Sequence, residues 1–562
     1  MMEPISDRSG LKDFTRGGQI FLHNIRMANQ IFSRAIGLCL LIVVASSTGV
    51  YALLSSPYER YMLLNIVFAK AQILLNNRAM IDFTNPDGSR VHVYAYQIIG
   101  SQLSKQAIRY FTHHAICSLS IGLLFTVILA GIGWWSLTVA GKRQKEKTLI
   151  RGETLENPDH VASIIRYGKV SSINLAGLPL PEGFETKHML VHGTTGTGKS
   201  VCIRGFLNQI RERGDRVIIY DRGGDYASRY LISDQDILMN PMSDNSTAWS
   251  LWNECGHPAD FTSLAAALLP MPQGINDPFW ITGARAVLAE ATRIMGEFET
   301  QSQEDLLALL LSADTRQLED FFKNTPVANL ISTRMEKTSL SIMSVLAAGL
   351  QSLKYLKSCE RNEGFSIRQW VQNADSKSWV FLTSVSEHHE VMKPLISAWL
   401  DIAVRALLSA SPSTDRRLWF ILDELPSLER VPCLSEGLAE SRKFGGCFVL
   451  AMQSMAQLKK IYGSNGAQEL SDLCNTRIFF RDPSFETAQW ASRELGEMET
   501  EESRENISYS ESAMRSGISI SGQRYQRQVV SPSDIMKLRD LEAFVRLPGV
   551  FPVTHMRFSM EK

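Results

Sequence analysis

Met189-Leu190-Val191-His192-Gly193-Thr194-Thr195-Gly196-Thr197-Gly198-Lys199-Ser200 runs from an apolar strand into a glycine-rich loop. A helical pattern follows through Val201, Phe206, Leu207 and Ile210 and stops at Gly214. From Gly193 onward the spacing fits G-x-x-x-x-G-K-[ST] in full, in the strand–loop–helix context that such a loop requires. Glycines let backbone N–H groups converge on phosphates without Cβ clashes, and the helix N-terminus adds its positive end. Lys199 is placed to reach β- and γ-phosphates and Ser200 to ligate Mg²⁺. The candidate cradle for ATP and Mg is therefore Gly193, Thr194, Thr195, Gly196, Thr197, Gly198, Lys199 and Ser200.

Further along, Leu418-Trp419-Phe420-Ile421-Leu422 reads as a buried strand that ends in Asp423-Glu424. Asp423 is expected to hold Mg²⁺, directly or through water, and Glu424 to orient and deprotonate an attacking water. Cys447-Phe448-Val449-Leu450-Ala451-Met452 is a third apolar strand, ending in Gln453-Ser454 and preceded by Arg442. On these residues alone two readings of Gln453 and Arg442 stand: γ-phosphate sensor and trans-acting arginine, or core-edge amide and surface arginine.

Strand patterns at 189–191, 216–220, 379–383, 418–422, 447–452 and 477–480 alternate with helical ones, which predicts a mostly parallel sheet covered on both faces. Residues 254–356 break the alternation with helical patterns, among them 285–295, 305–312 and 339–356, and predict an inserted all-α domain. Ser302 with Asp305 predicts a capping box there. Residues 499–528 are polar and turn-rich and are expected to form an exposed loop.

Residues 35–58 and 115–141 carry no charge and suit two transmembrane helices. A signal peptide is the competing reading of the first. Lys142, Arg143, Lys145 and Lys147 follow the second span, and Arg26 and Arg34 precede the first, so both flanks are expected in the cytoplasm. The 562-residue chain has 58 basic and 58 acidic side chains, so any nucleic-acid contact needs a local stripe. Its eight cysteines show no CxxC or metal-type spacing and suit a reduced compartment.

Several motifs recur in a telling order: Thr15-Arg16-Gly17-Gly18-Gln19-Ile20, the P-loop, Tyr220-Asp221-Arg222-Gly223-Gly224-Asp225, Ala248-Trp249-Ser250-Leu251-Trp252-Asn253-Glu254-Cys255, Asp277-Pro278-Phe279-Trp280, Asp423-Glu424-Leu425-Pro426-Ser427-Leu428, Arg442 to Gly446, Gln453-Ser454 and Asn475-Thr476-Arg477. With the two spans, this set resembles the type IV coupling proteins, those of F-like conjugative plasmids above all, in the FtsK/HerA-type P-loop superfamily. The resemblance covers essentially the whole chain. It implies a RecA-like nucleotide-binding domain with an inserted all-α domain behind two transmembrane helices. It further implies a homo-hexameric ATPase ring on the cytoplasmic face of the bacterial inner membrane, which recruits a relaxase–DNA complex, the relaxosome, and pumps single-stranded DNA to the type IV secretion channel. Arg442 and Gln453 match the family's arginine finger and nucleotide-state sensor. Relatives in F-like systems carry a long C-terminal tail that docks a relaxosome protein. This chain stops at Lys562, so substrate choice is expected in the helical domain or the membrane part.

The expected organisation is a cytoplasmic N-terminus (1–34), a span (35–58), a small periplasmic domain (59–114), a span (115–141), a connector (142–187), a motor domain (188–253 and 357–562) and the all-α insertion (254–356). A coupling-type ATPase that delivers proteins with little DNA role is the alternative function. The intact Lys199, Ser200, Asp423 and Glu424 argue against a non-enzymatic scaffold. Glu387-His388-His389-Glu390 is expected to be a solvated loop rather than a metal site, and Arg285 to pair with a carboxylate.

Overall fold

The computed structural model describes residues 9–75, 79–85, 87–145, 148–272, 274, 277–298, 302–357, 359, 364–373, 376–508 and 517–560. The chain divides into two compact units, residues 1–147 with 502–521, and residues 148–501 with 522–562.

In the first unit, long helices Ser9–Leu54 and Gln102–Lys145 flank a small fold made of helix Pro57–Leu75, hairpin β1 (Met80–Thr84) and β2 (Arg90–Tyr94), and helix Ala95–Gly100. Met62, Ile66, Ile81, Phe83, Ala95 and Ile98 form its core. Two segments are long and apolar enough to cross a membrane, Ala28–Leu54 and Gln102–Ala140. The first stops short of residue 58 because Pro57 opens the next helix, and the second starts before residue 115. A Cβ on Gly122 would lie 3.0 Å from Ser46 Oγ and 3.1 Å from Ser47 N, so a small residue sets how closely the two long helices approach. Of the N-terminal stretch 1–34, residues 1–8 lie outside the described residues. Pro86, between β1 and β2, lies outside them too.

The second unit begins with β3 (Thr148–Gly152), β4 (Leu155–Glu156), helix Pro158–Arg166 and hairpin β5 (Val170–Leu175) and β6 (Leu178–Pro181). Next come β7 (Met189–His192), helix Lys199–Arg213, β8 (Arg216–Asp221), helix Asp225–Tyr230 and β9 (Ile237–Met239). After the helical insertion it continues through β10 (Val380–Thr383), helix His389–Leu408, β11 (Leu418–Leu422), β12 (Gly446–Met452), helix Met455–Leu473, β13 (Thr476–Phe480) and helix Phe485–Leu495. The remaining strands of the chain are β14 (Glu497–Ser508), β15 (Gly517–Gln528), β16 (Glu542–Arg546) and β17 (Val553–Arg557). One ten-stranded sheet runs β4-β17-β16-β13-β7-β12-β11-β8-β10-β9. The strands from β13 to β9 are parallel, and β16 is antiparallel to both its neighbours. The P-loop strand β7 is separated from the carboxylate-bearing β11 by β12 alone, the order expected of a RecA-like sheet.

Strands buried on both faces read as continuous apolar runs, and these do. Val217 and Ile219 point into one core with Ile203, Phe206 and Leu207 of the P-loop helix. Ile218 and Tyr220 point into the other, with the insertion and Leu395, Ile396 and Trp399 of helix His389–Leu408.

Two expectations are corrected here. Residues 148–187 are not a bare connector. Val161, Ala162 and Ile165 on one helix face, and Ile173, Leu175, Leu178 and Leu180 on the hairpin, are buried in the P-loop helix's own core. In the helix and in β5 the buried apolar residues are interspersed with exposed polar ones, so the stretch averages as polar while folding. Residues 499–528 are not a loop either: β14 and β15 form a three-stranded sheet with β3. Its surface-strand composition hides a ladder made by backbone groups. Residues 509–516 lie outside the described residues.

The insertion between β9 and β10 comprises helices Pro258–Leu268, Phe279–Met295, Gln303–Ser312, Thr315–Phe321 and Glu336–Gly349. Ser302 caps the third, accepting from the N–H groups of Glu304 and Asp305. Arg285 donates to the Leu269 carbonyl at 2.7 Å instead of to a carboxylate, because the preceding helix ends where its side chain reaches. The neck is held by Glu254. Its buried carboxylate accepts from Trp249 Nε1 (2.8 Å), Ile367 N (2.7 Å) and Arg368 N (2.9 Å), tying the segment entering the insertion to the helix after it. Trp252 Nε1 donates to the Thr292 carbonyl inside the insertion. Burial pushes the Glu254 carboxyl up, and the three donors oppose that. Glu254→Ala, which orphans these donors, is expected to cost about 3 kcal/mol, read as a lowered urea midpoint of the solubilised chain, with Glu254→Gln losing less.

Candidate active site

The P-loop owes its shape to what surrounds it. At its start Gly193 N–H donates to the Met452 carbonyl of β12 (3.3 Å), and Thr194 N–H to the Arg481 carbonyl after β13 (3.2 Å). At its far end the Leu541 N–H donates to the Thr197 carbonyl (2.8 Å). Gly198 sits at φ 122°, and a Cβ there would lie 2.9 Å from Phe480 Cε1 and 3.2 Å from Leu541 Cα, so glycine is required twice over. Helix Lys199–Arg213 starts directly after it, and its first amides have no earlier carbonyl in the helix to take.

The loop opens onto a cavity of about 400 Å³ lined by Thr194, Thr195, Gly196, Gly198, Lys199, Ser200, Arg204, Asp423, Glu424, Gln453, Asp540, Leu541 and Met560, with Val201. Lys199 is buried, and its Nζ donates to the Gly193 (2.5 Å) and Thr194 (3.2 Å) carbonyls. Burial pulls its pKa down, against the pull of Glu424, Asp423 and Asp482. Thr195 Oγ1 donates to Gln453 Oε1 at 2.8 Å, and Gln453 N–H to Glu424 Oε1 at 3.3 Å, so the tips of three elements form one chain. The other Glu424 oxygen, Oε2, is buried without a partner. Burial raises the Glu424 and Asp423 carboxyls, and Lys199 opposes this for both.

A hydroxyl and a carboxylate flanked by a second, half-satisfied carboxylate are hard oxygen donors of the kind Mg²⁺ takes. The cradle beside them suits a polyphosphate. Ser200, Asp423 and the orphaned Glu424 oxygen thus fit a nucleotide with its metal.

The structure brings together Gly193, Thr194, Thr195, Gly196, Thr197, Gly198, Lys199, Ser200, Asp423, Glu424 and Gln453. It does not bring Arg442 there. That exposed side chain precedes β12 while Gln453 follows it, so the two lie a strand's length apart, about 20 Å. Sequence reading missed Tyr226, whose hydroxyl donates to Asp423 Oδ1 (3.0 Å), one residue beyond a motif that ended at Asp225. It also missed Asp540, Leu541 and Met560, which carry no motif at all. His389 is buried rather than solvated, bonded to Ser384 Oγ and the Ser427 carbonyl. Among the described residues no cluster of three or more metal-type side chains is found.

A P-loop at the tip of a RecA-like sheet, with carboxylates from the next strand but one and an all-α insertion, defines a P-loop nucleotide-binding protein. Residues 172–559 match the model of the type IV secretion-system coupling protein DNA-binding domain, and the chain belongs to that family. It is 36% identical over 566 residues to the coupling protein TraD of Escherichia coli (strain K12), spanning 98% of this chain and 78% of TraD. The coupling protein VirD4 of Bartonella quintana (strain Toulouse) is 26% identical over 185 residues, 32% of this chain and 28% of VirD4. The solved bacterial conjugative coupling protein TrwBdeltaN70, in complex with sulphate, superposes at a TM-score of 0.66 with 29% identity, covering 74% of this chain and 95% of that one. TrwB in complex with ADP and Mg²⁺ superposes equally well at 28% identity, over 74% and 95%.

Gly198→Ala is expected to weaken nucleotide binding more than tenfold and to cost about 1–3 kcal/mol of stability. Titration with a fluorescent ATP analogue, alongside thermal unfolding, checks both.

Proposed function

We propose that this chain is an inner-membrane type IV coupling protein, a hexameric ATPase that recruits a relaxase–DNA complex and pumps single-stranded DNA to the type IV secretion channel during conjugation. The observation that carries this is a complete P-loop and carboxylate constellation in a chain alignable with TraD over nearly its whole length. TrwB, similar in fold over three-quarters of the chain, has been solved with an ATP analogue and with ADP and Mg²⁺. Two apolar helices and the basic residues after the second support a two-pass anchor with the motor in the cytoplasm.

The residue roles follow from chemistry. The loop amides of residues 193–200 and the Lys199 ammonium bind and neutralise the phosphates. Ser200 and Asp423 would hold Mg²⁺, which when bound would offset charge on the phosphates. Glu424 orients water through its unpartnered oxygen and takes its proton. Gln453, bonded at once to the P-loop and to Glu424, reports the state of the phosphates to β12. Arg442, at the opposite end of that strand, serves the nucleotide of a neighbouring copy, which a closed ring of identical chains allows. DNA contact by such a ring is mainly electrostatic and sequence-tolerant.

Hydrolysis by the solubilised chain is expected to rise with single-stranded DNA and to vanish in Lys199→Ala. Hydrolysis indifferent to DNA, with no salt-sensitive DNA binding, would instead favour a motor that hands over proteins. Glu424 must be ionised to accept a proton, and burial raises its pKa, so kcat falls as pH falls through that raised value. Glu424→Gln should lose this limb and about 10²–10⁴ in kcat. Arg442→Ala should be nearly inactive, since such an arginine is worth about 10³-fold or more. Mixing it with Lys199→Ala should restore hydrolysis above either alone; a mixture no better than its parents defeats the trans role.

A further inference from the structure

The motif Tyr220-Asp221-Arg222-Gly223-Gly224-Asp225 has no part in the roles above, yet the structure gives it one. Asp221 ends β8 and is almost fully buried. Its carboxylate accepts from three successive amides, Asp225 N (3.2 Å), Tyr226 N (2.7 Å) and Ala227 N (3.0 Å), at the start of helix Asp225–Tyr230. Gly224, left-handed at φ 76°, makes the turn into that helix. The turn and the three bonds fix the backbone of Tyr226, whose ring is buried beside the P-loop helix in the same core as Phe206 and Ile219. Its hydroxyl donates to Asp423 Oδ1 at 3.0 Å and lies close to the Ser200 side chain. One phenol thus lies beside both residues that the proposed function assigns to the metal.

We infer that Tyr226 is the positioning residue of the Mg²⁺ site: its hydroxyl, set by the Asp221-capped turn, orients the Asp423 carboxylate, beside Ser200, toward a hard divalent cation. This rests on the reading of Ser200 and Asp423 as metal ligands. The geometry separates two faces of Asp423. Oδ1 is engaged by the phenol, which leaves Oδ2 for the cavity. A ligand carboxylate held by an outer hydrogen bond binds metal in one orientation instead of many, and losing such a bond typically costs about 10–100-fold in metal affinity. The ring is needed for packing and the hydroxyl for the metal, so the two contributions are separable by one oxygen atom.

The test is Tyr226→Phe in the full solubilised chain, with Mn²⁺ as the metal and ADP as the nucleotide. Bound Mn²⁺ is counted by electron paramagnetic resonance, ADP affinity is measured in EDTA, and thermal unfolding is measured without ligands. The expected result is an Mn²⁺ dissociation constant raised roughly tenfold, with metal-free ADP affinity and unfolding temperature unchanged. A Tyr226→Phe chain that takes Mn²⁺ within twofold of the native chain overturns the inference. So does a variant whose ADP affinity in EDTA falls as much as its Mn²⁺ affinity, because the phenol would then be supporting the loop. A native chain that takes up no Mn²⁺ with ADP overturns the nucleotide-site reading and this inference with it, which distinguishes the two failures.

Discussion

The site depends on the parallel register of β7, β12 and β11. Met452 lies opposite His192 and Leu450 opposite Leu422, so three buried strands end nearly level. Their next residues are the P-loop, Gln453, and Asp423 with Glu424, delivered to one edge of the sheet. In open parallel sheets that carboxyl edge is where ligands bind. A slip of one residue would turn every side chain of the strand to the opposite face, and both faces here are packed, so the register has no alternative of similar energy. The site's precision is inherited from the core, not from the loops that display it.

The same edge gathers charge. Lys199, Asp423 and Glu424 influence one another in a cleft that burial has partly dried. Burial displaces Lys199, Asp423 and Glu424 from their ordinary ionisation, and an anionic phosphate chain with a divalent cation would relieve all three together. Burying polar groups is costly when they are left unmatched. The unpartnered Glu424 oxygen carries such a cost. Arg442, at the other edge of the sheet, is too far to share in this.

The sequence was most legible where geometry is repeated and local. The P-loop, its strand and its helix follow from spacing alone, and β8, β11, β12 and β13 follow from unbroken apolar runs. Ser302 betrayed a helix start because capping is a local event. Legibility failed where apolar residues were thinned by water-facing neighbours, as in β5 and β6, and where backbone pairing does the work, as in β14 and β15. It also failed for Tyr226 and Leu541. Both act at the site through contacts that no local pattern encodes, Tyr226 through a turn set by Asp221 and Leu541 through a backbone bond from the far end of the chain.

The bond from Leu541 to Thr197 has a consequence for how the molecule is made. During synthesis the P-loop leaves the ribosome long before β16, and chains grow at about 5–20 residues per second. Until residue 541 emerges, Gly198 has no lid, Asp540 and Met560 are missing from the cavity wall, and contacts of such sequence separation form late. A nascent chain therefore carries the phosphate-binding motif without a finished pocket.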